Sequence, residues 1–138
     1  MANIIDMQDM RYLNLFGQIT KVRTRFCFKY NEAIVFCVPR IFLSQSIGEG
    51  GRNIKQLSEI LRKRIKVIPM SKGIQDAKIF IQSIVSPVKF KDLEVKDNEV
   101  ILTAGSQSKA ALIGRNKRRL LEMQKIVKAY FGKEFRIV

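Results

Sequence analysis

Apolar positions along this chain switch between helical and strand spacing in an order that occurs twice. From Asp6 to Phe16, Met7, Met10 and Leu13 form a stripe at helical spacing; Asp6 is placed to cap it, and Gly17 to stop it. From Lys21 to Tyr30 the pattern alternates. Val22, Thr24, Phe26, Phe28 and Tyr30 share one face and Arg23, Arg25, Cys27 and Lys29 the other, which predicts a strand. Asn31-Glu32 reads as a tight turn, and the unbroken apolar run Ala33–Val38 as a second, more buried strand. Pro39 opens a short helix that reaches Ile47. A longer basic helix carries Ile54, Leu57, Ile60 and Leu61 on one side, and Ile65–Ile68 is a third strand.

After the segment Pro69–Gly73, the clearest linker in the chain, the same order begins again. Ile74–Ile84 predicts a helix with Ala77, Phe80, Ile81 and Ile84 on one face. Val88–Val95 and Glu99–Ala104 predict strands on either side of an Asp97-Asn98 turn. A short helix ends at Ile113, and Leu120, Met123, Val127 and Tyr130 mark a long one that Gly132 stops. Phe135–Val138 is the last strand. Helix, strand, strand, helix, turn, helix, strand thus occurs twice, and an internal duplication is the simplest account. It gives an α+β chain of two domains, 1–70 and 71–138, each α-β-β-α-α-β with a three-stranded sheet.

The turn between the last two helices of each copy is where chemistry concentrates. Ile47-Gly48-Glu49-Gly50-Gly51-Arg52 in the first copy corresponds to Ile113-Gly114-Arg115-Asn116-Lys117-Arg118 in the second, with Gly48 and Gly114 separated by 66 positions. A glycine turn that opens a helix exposes unpaired backbone N–H groups at the positive end of the helix dipole, the ordinary way a chain cradles phosphate. Arg52 and Lys55 follow the first turn. Arg118 and Arg119 follow the second, which lacks the closing glycine. Either Lys117 takes an ordinary helical start and the cradle survives, or its side chain partly blocks the approach.

Charge strengthens this reading. The 138 residues carry a net charge of +14. Residues 1–72 hold 13 Lys/Arg against 5 Asp/Glu and residues 73–138 hold 13 against 7, so the excess is no basic tail. A folded chain this basic is expected to meet phosphate. No apolar run is long enough for a membrane span, and Met1–Asp6 lacks the pattern of a signal peptide, so a cytoplasmic, monomeric, soluble protein is expected. Histidine is absent, which removes histidine acid–base catalysis and histidine-containing zinc sites. Cys27 and Cys37 read as small buried hydrophobes rather than a disulfide, and no cofactor is implied.

The two-helix core with its glycine turn, flanked by these strands, resembles the KH domain, and the leading helix and strand match its type II, prokaryotic arrangement. Gly48-Glu49-Gly50-Gly51 fits the GXXG loop by which KH domains clamp the backbone of four nucleotides; Gly114-Arg115-Asn116-Lys117 departs from it at the last position. The tandem, covering almost the whole chain, resembles the archaeal NusA-like transcription factors. That resemblance implies a transcription elongation or termination factor, not an enzyme, that holds single-stranded RNA on both domains and meets RNA polymerase. It places the RNA on Ile47, Gly48, Glu49, Gly50, Gly51, Arg52 and Lys55 and on Ile113, Gly114, Arg115, Asn116, Lys117, Arg118 and Arg119.

Other readings are weaker or stay open. Neither turn supplies GxxxxGK[ST], and Asn53 stands where GxGxxG needs its third glycine. Asp92/Glu94 and Asp97/Glu99 read as solvated charges on strand and turn rather than a catalytic pair. Phe26, Phe28 and Tyr30 have the spacing of a base-stacking platform, but equally of a core-facing strand beneath the helices, the favoured alternative. Two rival functions share the fold and charge: a KH protein on ribosomal RNA in ribosome assembly, and an adaptor that docks on polymerase through protein contacts.

Overall fold

The computed structural model describes residues 7–138 and divides them into two compact units that meet in sequence between Met70 and Ser71. In the first, the order is α1 (Met7–Thr20), β1 (Phe26–Tyr30), β2 (Ala33–Val38), α2 (Leu43–Ile47), α3 (Arg52–Leu61) and β3 (Arg64–Pro69). The second repeats it as α4 (Ala77–Val85), β4 (Asp92–Val95), β5 (Glu99–Thr103), α5 (Lys109–Ile113), α6 (Arg118–Phe131) and β6 (Glu134–Ile137). The fold is α+β with two three-stranded mixed sheets, ordered β1-β2-β3 and β4-β5-β6. In each, the first pair is antiparallel and the second parallel. A parallel pair requires a crossover between its strands, and here that crossover is the helix–turn–helix segment.

In the first unit, β2 is buried along its whole length, and Ile34, Phe36 and Val38 face a core of Tyr12, Phe16, Val22 and Leu57. Phe16 and Phe36 stack at 4.3 Å between ring centroids. The hairpin into β2 closes through Asn31 and Glu32, both at positive φ (51° and 61°), the backbone that keeps a two-residue loop in step with the strand twist. In the second unit Val100, Leu102, Leu112, Met123, Val127 and Phe135 are buried. Phe80 packs against the rings of Tyr130 and Phe131.

Several boundaries differ from the sequence expectation. Helix α1 continues through Gly17 to Thr20 and ends where Lys21 turns left-handed (φ 61°), its N–H donating to the Gly17 carbonyl at 3.0 Å. Tyr12, Phe16 and Thr20 hold the buried stripe, whereas Met7 and Met10 are 81% and 53% exposed. Packing of one i, i+4, i+8 row outweighs the local cost of one glycine. The expected cap, Asp6, lies outside the described residues. On α3, Leu57 is buried but Ile60, expected beside it, is exposed.

Strand β1 begins at Phe26 rather than Lys21, and β4 at Asp92 rather than Val88. A bend at Arg25 shifts the phase of the alternation. As a result Val22 and Cys27 pack on the same core, although they are an odd number of residues apart. Cys27 pairs with Phe36 in the ladder, so Phe26, Phe28 and Tyr30 lie on the sheet face away from that core. The aromatic row is therefore not the strand face beneath the helices. Nor is it an open platform, because Tyr30 and its ladder neighbours Ala33, Val35 and Cys37 are buried.

Among the described residues, no helix is long and apolar enough to cross a membrane.

Candidate nucleic-acid interface

Both glycine turns interrupt a crossover, and both follow the same backbone path. Helix α2 stops because Gly48 sits at φ 80°, ψ 164°, a region essentially closed to residues with a Cβ. Gly114 stops α5 at φ 77°, ψ 168°. Each glycine N–H still closes the preceding helix, Gly48 onto the Ser44 carbonyl at 3.0 Å and Gly114 onto the Ala110 carbonyl at 2.9 Å. Each carbonyl then accepts the N–H three residues on, from Gly51 at 3.0 Å and from Lys117 at 3.1 Å.

Between those bonds the chain makes two consecutive left-handed residues. Gly50 (64°, 16°) and Gly51 (74°, 20°) make them in the first turn, Asn116 (56°, 28°) and Lys117 (60°, 23°) in the second. Arg52 and Arg118 then begin α3 and α6 in ordinary helical geometry. Lys117 therefore does not take an ordinary helical start. Asn tolerates the left-handed region, but a residue like Lys gives up about 1–2 kcal/mol there. The hydrogen bond to Gly114 and the onset of α6 fix its backbone.

Side chains differentiate the two turns. A Cβ placed on Gly50 or Gly51 would meet nothing within 4 Å, so the first apex is open. Gly48 is more enclosed, with the Asn53 side-chain amide 3.0 Å from where a Cβ would lie. That amide donates through Nδ2 to the Gln45 carbonyl at 3.1 Å and braces α3 against α2 across the turn. In the second turn Arg119 takes the place of Asn53. Its stem lies over Gly114, with Cγ only 2.5 Å from where a Cβ would lie, and its guanidinium pairs with Glu122 at 3.0 Å. Both partners are about one-fifth exposed (17% and 22%), so Arg119 is turned back onto its own helix.

The remaining sequence-predicted residues cluster around each turn. Glu49, Arg52 and Lys55 are exposed at the first, and Arg115, Asn116, Lys117 and Arg118 at the second; Ile47, Gly48, Ile113 and Gly114 are half-buried. Lys55 has no basic counterpart, since Leu121 stands at its position and is 59% exposed. The first turn thus offers bare backbone at Gly50 and Gly51 beside the exposed Glu49 carboxylate, with its cations one to four residues into the helix. The second carries its cations on the turn itself. Sequence reasoning missed Gln45 and Asn53, whose role is a side-chain-to-carbonyl brace that no periodicity announces. Lys66 on β3, whose pKa is lowered by burial and then by Arg64, lies on the sheet rather than on these turns.

No protein-family model matches the chain. In sequence it is similar to two archaeal proteins, each named probable transcription termination protein NusA. That of Methanococcus vannielii is 29% identical over 114 residues, covering 80% of this chain and 64% of that protein. That of Methanocaldococcus jannaschii is 25% identical over 127 residues, covering 89% and 68%. The chain therefore spans about two-thirds of the length of these relatives. Among solved structures, the crystal structure of APE1850 matches with a TM-score of 0.69 at 26% identity, covering 97% of this chain and 99% of that one.

Proposed function

Starting from its similarity to the archaeal NusA-like proteins, we propose that this chain is a transcription elongation or termination factor that binds single-stranded RNA. Each unit acts as a type II KH domain. Phosphates settle on Gly48–Gly51 and on Gly114–Lys117, and bases lie against the apolar residues beside them, Ile47 and Ile54 in the first unit and Ile113 in the second. The function is positioning, with no bond made or broken, and RNA polymerase is the expected protein partner.

One observation carries the reading: the same two-residue left-handed path recurs 66 positions apart, at the head of a basic helix each time. The second copy keeps this path although Lys117 stands where the first has Gly51, at the left-handed cost given above. The names of the relatives favour transcription over ribosome assembly.

The test is selection from a random pool of short single-stranded RNAs at two salt concentrations, with the bound fraction sequenced. The expected result is an enriched motif longer than the roughly four nucleotides that one KH loop clamps, with affinity falling steeply in salt. Weak binding without enrichment would overturn the proposal and bring the adaptor reading forward. Co-purification with ribosomal particles instead of polymerase would move the assignment to ribosomal RNA.

A further inference from the structure

The segment joining α1 to β1 carries basic side chains at alternate positions, and the fold decides which way they face. Thr20 Oγ1 donates to the Phe16 carbonyl at 2.7 Å and accepts from the Val22 N–H at 3.1 Å. Val22 is buried in the core. Thr24 Oγ1 donates to the Cys37 carbonyl and accepts from the Phe26 N–H at 3.3 Å. With Thr20, Val22 and Thr24 anchored, the alternate residues Lys21, Arg23 and Arg25 are all exposed. Among the described residues, none of the three makes a salt bridge.

This segment adjoins the first glycine turn through one residue. The Gln45 side chain donates through Nε2 to the Thr20 carbonyl at 3.3 Å, and the Gln45 carbonyl accepts from Asn53, the brace over Gly48. The pattern also recurs in the second unit. Lys89 and Lys91 follow Val88 as Arg23 and Arg25 follow Val22, again 66 positions on, and both are exposed. Elsewhere in the duplicate, charges at matching positions have drifted, as Lys55 and Leu121 show.

We infer that Lys21, Arg23 and Arg25 form a further phosphate-binding strip beside the first glycine turn, extending the path of the same single strand of RNA. The inference rests on the RNA-binding reading above. The three cations alternate with residues anchored by hydrogen bonds or burial, so they present charge from a held backbone where a mobile loop would present a diffuse cloud.

The experiment titrates the full chain with labelled oligouridylate of about twelve nucleotides, a length within the range single-strand binders occupy, across a salt series. Arg23→Gln with Arg25→Gln is expected to lower affinity about tenfold at low salt and to flatten the log–log salt slope by about 1.4, near 0.7 for each lost phosphate contact. Each single variant should flatten it by about half as much, which keeps the test open if the double variant folds poorly by circular dichroism. Arg23→Lys with Arg25→Lys should keep the wild-type slope. Arg62→Gln with Lys63→Gln removes equal charge beyond the far end of α3, about 15 Å along the helix from the turn, and should leave the slope nearly unchanged. If the Arg23/Arg25 variant behaves like that control while the wild type binds, the strip is refuted and the glycine-turn reading stands. If the wild type shows no salt-dependent binding either to oligouridylate or to the RNA enriched by selection, both fall.

Discussion

The two glycine turns have the same backbone and different chemistry. In the first, glycine supplies the left-handed path without strain and leaves an open apex. In the second, Asn116 and Lys117 hold that path at a cost, and cations sit on the turn itself. Helix α6 is also four residues longer than α3, and the Arg119–Glu122 pair links its first turn to its second. The comparison teaches that the shape of such a turn and the residue types that make it easy can separate. The first turn offers approach, and the second offers charge.

The comparison can be broken most sharply at the leading glycines. Both occupy the same glycine-only region, but a Cβ at Gly114 would run into the Arg119 stem and backbone nitrogen, whereas at Gly48 it meets side chains alone, the Asn53 amide at 3.0 Å and Arg52 Cγ at 3.2 Å. Gly114→Ala should therefore destabilise by about 3 kcal/mol and Gly48→Ala by about 1–2 kcal/mol. Urea melts of the two variants check the order. Equal losses would mean that the Arg119 stem does not confine Gly114.

A smaller effect sharpens the same contrast at the other end of the turn. Lys117→Gly should stabilise by about 0.5–1 kcal/mol, the left-handed cost less the extra chain entropy of glycine. It should also weaken RNA binding, because it removes a cation from the turn. A thermal melt read beside an RNA titration tests both. Loss of stability on this substitution would show that Lys117 is not strained.

The element order, the two turns and most of the core were legible in the sequence, because long apolar patterns and Gly48, Gly114 and Gly132 are strong local signals. The Ala33–Val38 strand matches its sequence boundaries residue for residue. Three features were not legible, for physical reasons. The phase of β1 depends on a bend at Arg25, next to Thr24, whose hydroxyl is held by the Cys37 carbonyl, a tertiary contact. The left-handed state of Lys117 contradicts its own preference and is imposed by the bond to Gly114. The withdrawal of Arg119 toward Glu122 needs the helix to exist before the i, i+3 pair can form. At the candidate interface, sequence located the turns, but only the structure separates cations that face solvent from one that is folded back.

The central claim is that both turns grip RNA phosphate, and paired carboxylates test it most directly. Asp is among the residues that tolerate left-handed backbone, and at Gly50 and Gly51 a Cβ meets open space. Gly50→Asp with Gly51→Asp, and separately Asn116→Asp with Lys117→Asp, should therefore fold. Titrating wild type and both variants with the selected RNA should show each variant at least about tenfold weaker, the cost of setting like charge against phosphate at close range. In the second-turn variant the residual binding should also be less salt-sensitive, since its side-chain cation is gone. Wild-type affinity in both folded variants would contradict the account and leave the turns as structural elements of a basic surface.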